Sequence, residues 1–205
     1  KVNIDDRKNN SNNNLLKKIS HEYKIRLNEV NFTEGDFWNI IPFAAKKIDD
    51  PIADYAILPT FKLAEIASKK FKVAITGEGG DELFGGYGRY RRHNFLNKKF
   101  FKGAFRKYGK FKNNYWKFET NENFIENLGL TKVQKYQFFD YYNWLPNNLL
   151  VKLDRCLMSY SMEGRTPLID KKLFENFFFV KDKYKIKNGF GKFLIRNFIK
   201  SRVKH

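Results

Sequence analysis

Between Phe71 and Arg92 the chain reads FKVAITGEGGDELFGGYGRYRR. The apolar run Val73, Ala74, Ile75 leads into Gly77, Gly79 and Gly80, with Glu78, Asp81 and Glu82 set among them; Gly85 and Gly86 follow one turn later. A short apolar run that stops at glycines predicts a strand whose end opens to a ligand, because backbone N–H groups can approach where no Cβ stands in the way. Three carboxylates at such a strand end suit a metal ion, a proton transfer or both. In open α/β sheets ligands lie outside the carboxyl ends of strands, where this loop falls. The pattern lacks the Gly-Lys-Ser/Thr of a P-loop and is not a dinucleotide fingerprint. It reads as a nucleotide-handling loop.

The surrounding sequence supplies a partial frame for that loop. Residues 1 to about 14 are polar and Asn-rich and read as a loop or a frayed end. Leu15 to Ser20 fits one or two helical turns, and Tyr23 to Leu27 alternates with a period of two, as a strand would. Thr33 with Asp36 three residues on predicts a capped helix running to about Lys47, broken by Asp50-Pro51. A second helix is expected from about Ala56 to Lys70, then the strand Lys72 to Thr76. Strand, helices, strand and ligand loop make a parallel α/β unit. Residues 90 to 205 read as helices with aromatic faces and no convincing strand. Among them, Asn148 is placed to cap a helix from Leu149 to about Met162. Lys152, Arg155 and Ser159 would form its solvent stripe, and Asp154 would lie half buried with Arg165 as candidate partner, in a structural ion pair or a substrate contact.

Composition narrows the class without naming a function. Lys and Arg total 40 against 22 Asp and Glu, a formal charge of +18. The many Lys, Asn, Phe, Tyr and Ile residues are spread along the whole chain, as an AT-rich coding bias would leave them, and no nucleic-acid-binding motif accompanies the charge. Arg89 to Arg92 and Lys98 to Lys112, with interleaved aromatics, are the best case for a nucleic-acid surface, although helical spacing also explains those aromatics as packing residues. A single cysteine, Cys156, excludes an internal disulfide framework, fits a reducing compartment and reads as a buried inert thiol. No apolar run is long enough for a transmembrane helix.

Four blocks carry a resemblance to a known family. Thr76 to Tyr87, TGEGGDELFGGY, resembles the signature loop SGEGADELFGGY of the asparagine synthetase domain. Leu145 to Asp170 is similar to that family's LPDDLLVKVDRASMAHSLEARVPFLD; Asp50 to Asp54 with Pro59-Thr60 resembles its DPIADPSAIPTY segment; Gly191 to Arg196 resembles TKYLLR. The blocks occur in the family's order. The resemblance implies an α/β fold: an incomplete parallel-sheet ATP-pyrophosphatase domain (adenine nucleotide alpha hydrolase-like, residues 1–89) followed by a mainly helical C-terminal part (residues 90–205).

The resemblance also implies a chemistry. Family enzymes use ATP and Mg²⁺ to activate the aspartate side-chain carboxylate as an adenylate, which ammonia from glutamine converts to the amide. Carried over by position, Glu78 would be the general base for the amine and Lys192 the cation at the reacting phosphorus. Thr76, Gly77, Gly79 and Tyr87 would lie on the ATP side, and Asp81 would bind Mg²⁺. Asp154, Arg155 and Arg165 would support substrate or structure. The family's SGGxDSS pyrophosphate loop and its glutaminase domain are not in this sequence, so the chain is expected to be part of a longer, cytoplasmic synthetase, inactive alone. That protein is expected to have no nucleic-acid or membrane partner and is compatible with a homodimer. A related amidotransferase acting on a surface sugar or small metabolite, and an inactive remnant serving as a binding module, remain alternatives.

Overall fold

The computed structural model describes residues 2–4, 10–49, 52, 54–91 and 129–202, with side chains from residue 16 onward. Two short parallel sheets organise them. Strand β1 (Val2–Ile4) pairs with β2 (Val30–Phe32), Val2 opposite Val30, across the helix α1 (Asn10–Glu22). Strand β3 (Val73–Ile75) pairs with β4 (Glu163–Arg165), Val73 opposite Glu163 and Ile75 opposite Arg165. Within the polar start, expected as a loop or a frayed end, residues 2–4 form β1 and residues 10–14 begin α1. Tyr23–Leu27 is not a strand. A turn at Tyr23 and Lys24, the latter at φ 51°, ends α1. Tyr23 and Ile25 stay exposed, so the alternation there has no face to bury and the pairing strand forms later, at Val30.

Helix α2 (Glu34–Lys47) begins where the sequence places it. Thr33 Oγ1 accepts from the Asp36 backbone N–H at 3.1 Å, and the Asp36 carboxylate accepts from the Thr33 N–H at 2.9 Å, a complete capping box. Helix α3 (Ile57–Ala67) then precedes β3. Beyond β3 come two short helices, α4 (Gly80–Phe84) and α5 (Gly88–Arg91). The basic aromatic stretch Lys98–Lys112 and the dipeptide Asp50-Pro51 lie outside the described residues.

The C-terminal part opens with α6 (Lys132–Phe139), capped by Thr131, and runs through a π-type segment, Asp140–Leu150, into α7 (Val151–Met158). This continuity corrects the expectation of a helix starting at Asn148: that residue lies inside the rod, and its side-chain amide nitrogen is buried without a partner among the described residues. Pro146, which has no N–H to give, sits within the widened turns instead of breaking the helix. The chain then forms β4, a 3₁₀ turn (Pro167–Ile169) and helices α8 (Lys171–Phe178), α9 (Asp182–Lys185) and α10 (Phe193–Arg202). β4 is a strand in a region that reads as purely helical. Three residues containing Glu163, Gly164 and Arg165 carry no apolar signal, and parallel pairing to β3 alone defines them.

The core joins both parts of the chain. Ile40 and Ala44 of α2 meet Phe61 of α3 and Cys156 of α7, while Ala64 of α3 packs with Leu153, Leu157 and Met162. Gly164 lets α7 lie against the sheet, since a Cβ there would stand 2.7 Å from Leu157 Cδ1. Helix α7 is thereby fixed between α3 and β4, with one face turned toward the glycine loop.

Candidate functional site

The loop starts where sheet pairing ends. The Thr76 N–H donates to the Arg165 carbonyl at 2.8 Å, and the Thr76 hydroxyl is buried with no partner among the described residues. Gly77 has an ordinary backbone and nothing within 4 Å of where its Cβ would be, so packing does not require glycine there. Gly79 is different: at φ 89° its missing Cβ would stand 2.7 Å from Ile169 Cγ1. α4 follows and ends at Gly85, φ 70°.

Lys192 comes to this loop from the far end of the chain. Its backbone N–H donates to the Phe84 carbonyl at 3.1 Å, and its Nζ stands 3.0 Å from Asp81 Oδ1. The ion pair passes directly over Gly86, where a Cβ would lie 1.8 Å from Asp81 Oδ1 and 2.4 Å from Lys192 Cε. Gly191 is packed as tightly, its Cβ position 2.3 Å from the Gly85 carbonyl oxygen. Two of the candidates separated by over a hundred residues are thus brought together by glycines that leave no room for anything else.

Glu78 has a partner that periodicity did not assign to it. Lys152 is buried rather than on a solvent stripe; its Nζ lies 2.7 Å from Asp54 Oδ2 and 3.5 Å from Glu78 Oε1. Burial works against the charge of Lys152, but the Asp54 hydrogen bond and the two carboxylate charges outweigh it and hold the ammonium pKa above its ordinary value. Asp54 is itself fixed, its Oδ1 accepting the Ala56 N–H at 2.8 Å where α3 begins.

Behind the loop, Glu82 is buried, and burial raises its carboxyl pKa although the Tyr87 hydroxyl donates to Oε1 at 2.6 Å. Burial, then the Glu82 contact, push the Tyr87 phenol well above its usual range. Arg89 stacks over the Tyr87 ring at 4.0 Å and pairs with buried Asp140 at 2.6 Å, which also accepts from the Tyr90 hydroxyl. Arg89 and Tyr90, part of the basic aromatic cluster in the sequence, are therefore committed inside the molecule. Gln137 donates to the Glu82 and Leu83 carbonyls at 2.6 and 2.7 Å and accepts from buried Lys185 at 2.8 Å.

Three candidates stand apart from this arrangement. Asp154 is exposed, not half buried, and its neighbour is Arg155, at 3.4 Å. Arg165 pairs with Glu163 at 2.9 Å instead of with Asp154; only its backbone supports the loop, through Thr76. Arg155 grips Asp49 through two hydrogen bonds of 2.8 and 3.2 Å, bridging α7 to the end of α2. Cys156 is buried, its thiol pushed up to about 12 by burial, as an inert core thiol should be. The sequence reading missed Asp54, Lys152, Asp140, Gln137 and Lys185 as contributors. Asp54 and Lys152 lie within the recognised blocks, the one signal that could have flagged them. Among the described residues no group of three or more His, Cys, Asp or Glu side chains is placed to hold a metal alone, and no helix is long and apolar enough to cross a membrane.

The described residues thus combine short parallel sheets and helices with carboxylates and a lysine gathered on a glycine loop at a strand end, an α/β protein with a polar candidate site. The sequence model for asparagine synthase matches residues 3–204, and the chain belongs to that family. It is 28% identical over 210 residues to glutamine-hydrolyzing asparagine synthetase 1 of Bacillus subtilis, covering 78% of this chain and 33% of that protein. A Mycobacterium tuberculosis protein named "Putative asparagine synthetase [glutamine-hydrolyzing]" is 27% identical over 186 residues, 68% of this chain and 28% of that protein. A 72-residue stretch is 38% identical to a Methanocaldococcus jannaschii protein of the same name, numbered 2. The chain spans about a third or less of the length of these curated relatives.

Proposed function

We propose that this chain carries the ATP-dependent, amide-forming centre of an asparagine synthetase, built on an ATP-pyrophosphatase-type α/β fold. The observation that carries the reading is the pairing of Lys192 with Asp81 at the glycine loop that follows β3, the loop that also bears Glu78. In the proposed reaction an oxygen of the aspartate side-chain carboxylate attacks the α-phosphorus of ATP, and the bond to pyrophosphate breaks. Ammonia then attacks the activated acyl carbon and AMP leaves with the bonding electrons. Glu78 takes the proton that the amine must lose, a task within reach of a partly exposed carboxylate. Lys192 supplies a fixed cation for the charge that develops at phosphorus. Gly77, with nothing within 4 Å of where its Cβ would be, leaves backbone at the strand end open to the nucleotide.

The donors present fit Mg²⁺. That ion takes one or two protein carboxylates and completes its shell with phosphate oxygens and water, so Asp81 suffices as a protein ligand without a cluster. Bound there it would neutralise triphosphate charge. Ammonia would come from glutamine through a glutaminase domain outside this sequence, in a cytoplasmic setting that suits one buried thiol.

The test uses the full-length protein that carries this sequence. Aspartate-dependent exchange of labelled pyrophosphate into ATP, and asparagine formation from ammonia, are the expected activities, both lost in Asp81→Asn. Exchange driven by another carboxylate but not by aspartate would transfer the centre to a related amidotransferase. No exchange with any carboxylate would reduce it to a binding module.

A further inference from the structure

Glu78 sits between Gly77 and Gly79, so neither neighbouring side chain restricts it, and among the described residues its carboxylate has one partner, Lys152. That lysine reaches it from α7 and is anchored elsewhere: 2.7 Å from Asp54 Oδ2, against 3.5 Å from Glu78 Oε1. Asp54 in turn is locked to the first turn of α3 through the Ala56 N–H. The connection therefore runs from the start of α3, through Asp54 and Lys152, to the carboxylate on the loop. Its two inner members are the more buried ones: the side chains of Lys152, Asp54 and Glu78 are 8%, 12% and 24% exposed.

We propose that Lys152, anchored by Asp54, is the positioning cation for Glu78, holding its carboxylate where it takes the proton of the incoming amine. The unequal distances fit this role. A short, buried bond to Asp54 fixes the ammonium, and the longer contact holds Glu78 through Oε1. A lysine that merely neutralised buried charge would have no need to extend to a partly exposed carboxylate beyond its buried partner. Lys192 occupies the other side of the division of labour, paired with Asp81 rather than with Glu78. Lys152 thus acts on the second half of the reaction, amine transfer, and Lys192 on the first, carboxylate activation. This inference rests on the amide-forming reading above.

The experiment separates the two half-reactions in the full-length protein. Lys152→Met is expected to lower kcat for asparagine formation roughly 10- to 100-fold, the scale of a misplaced catalytic group. KM for ATP and aspartate and the rate of aspartate-dependent pyrophosphate exchange should stay within about twofold, because activation precedes proton removal. Lys152→Arg, which keeps a cation beside both carboxylates, should restore much of kcat. If Lys152→Met does not fold, Asp54→Asn is decisive. It keeps an oxygen for the Ala56 N–H but loosens the anchor, and kcat should fall several-fold with exchange intact. Equal losses in exchange and amide formation, or an unchanged kcat in Asp54→Asn or in folded Lys152→Met, would overturn the proposal. Those results leave the amide-forming reading standing so long as the wild type turns over and Glu78→Gln does not. A wild type without aspartate-dependent exchange would overturn both.

Discussion

The glycines of the loop divide according to what each excludes. Gly79, Gly86 and Gly191 are demanded by the protein itself, through contacts of 2.7, 1.8 and 2.3 Å that a Cβ would make. Gly77 is demanded by nothing within 4 Å, so the reason for a glycine there must come from what binds. Two alanine substitutions nine residues apart should therefore fail in different ways. In Gly86→Ala the obstructing atoms are the ends of two movable side chains, so the fold survives while the Asp81–Lys192 pair is forced apart. Turnover should fall by about 10²-fold or more, as when a preorganised electrostatic group is removed, with little change in melting temperature. Gly77→Ala should also melt within a few degrees of the wild type but raise KM for ATP roughly tenfold, because a methyl blocks the backbone approach. Steady-state kinetics beside thermal melts decide both; a Gly77→Ala enzyme with unaltered KM for ATP would remove that backbone from the nucleotide site.

Among the elements, α9 supplies the support with a titration of its own. Lys185 is buried, donates to Gln137 Oε1 and to the Phe178 carbonyl, and packs its stem against Gly85. Burial pushes its pKa from 10.5 down to about 8, against the partial help of the Asp182 charge. Between those values the unfolded chain holds a proton that the folded one has released, so stability rises with pH from about 8 to about 10.5 and is lowest below 8. The two hydrogen bonds survive because a neutral amine still has two N–H groups for its two acceptors. The full gap is worth roughly 3 kcal/mol. Urea unfolding should show the wild type gaining up to about that much on Lys185→Met between pH 7 and 10.5, with the amine titrating near 8 by NMR; an amine midpoint at 10 or above would refute it. No sequence pattern announced Lys185, one lysine among many. The α7 stripe shows a related limit. Lys152, Arg155 and Ser159 do share a polar face, as their spacing implies, but its Lys152 end is buried on Asp54, while Arg155 pairs with Asp49 in partial contact with water, and Met158 on the apolar-looking side is exposed. Periodicity reports the polarity of a face and not what covers it. The loop, by contrast, was legible as a local pattern of an apolar run that stops at glycines, although Ile169 and Lys192, for which Gly79 and Gly86 leave room, are distant in sequence; the capping box of α2 was legible too.

At the scale of the whole molecule, the division of the chain at residue 89 separates the loop-bearing part from the helical part in sequence but not in structure. β3 finds its partner strand in β4, and Phe61 and Ala64, both fully buried, lie against Cys156, Leu153 and Leu157 of α7. Cut at residue 89, the first part would keep α2 packed on α3 but would lose the other wall of both clusters and the only partner of β3 among the described residues. Burying one Phe or Leu side chain is worth about 1.5–3 kcal/mol, so losing several exceeds the margin of a small domain. A fragment of residues 1–89 should therefore show no cooperative urea transition and a collapsed amide NMR spectrum, while in the chain of residues 1–205 the amides of α3 and α7 should exchange with a common protection. A sharp transition from the short fragment would make the two parts independent domains. Common protection would mean that the loop residues and Lys152 hold their places through one cooperative core, so that destabilising α3 also loosens the lysine that reaches Glu78.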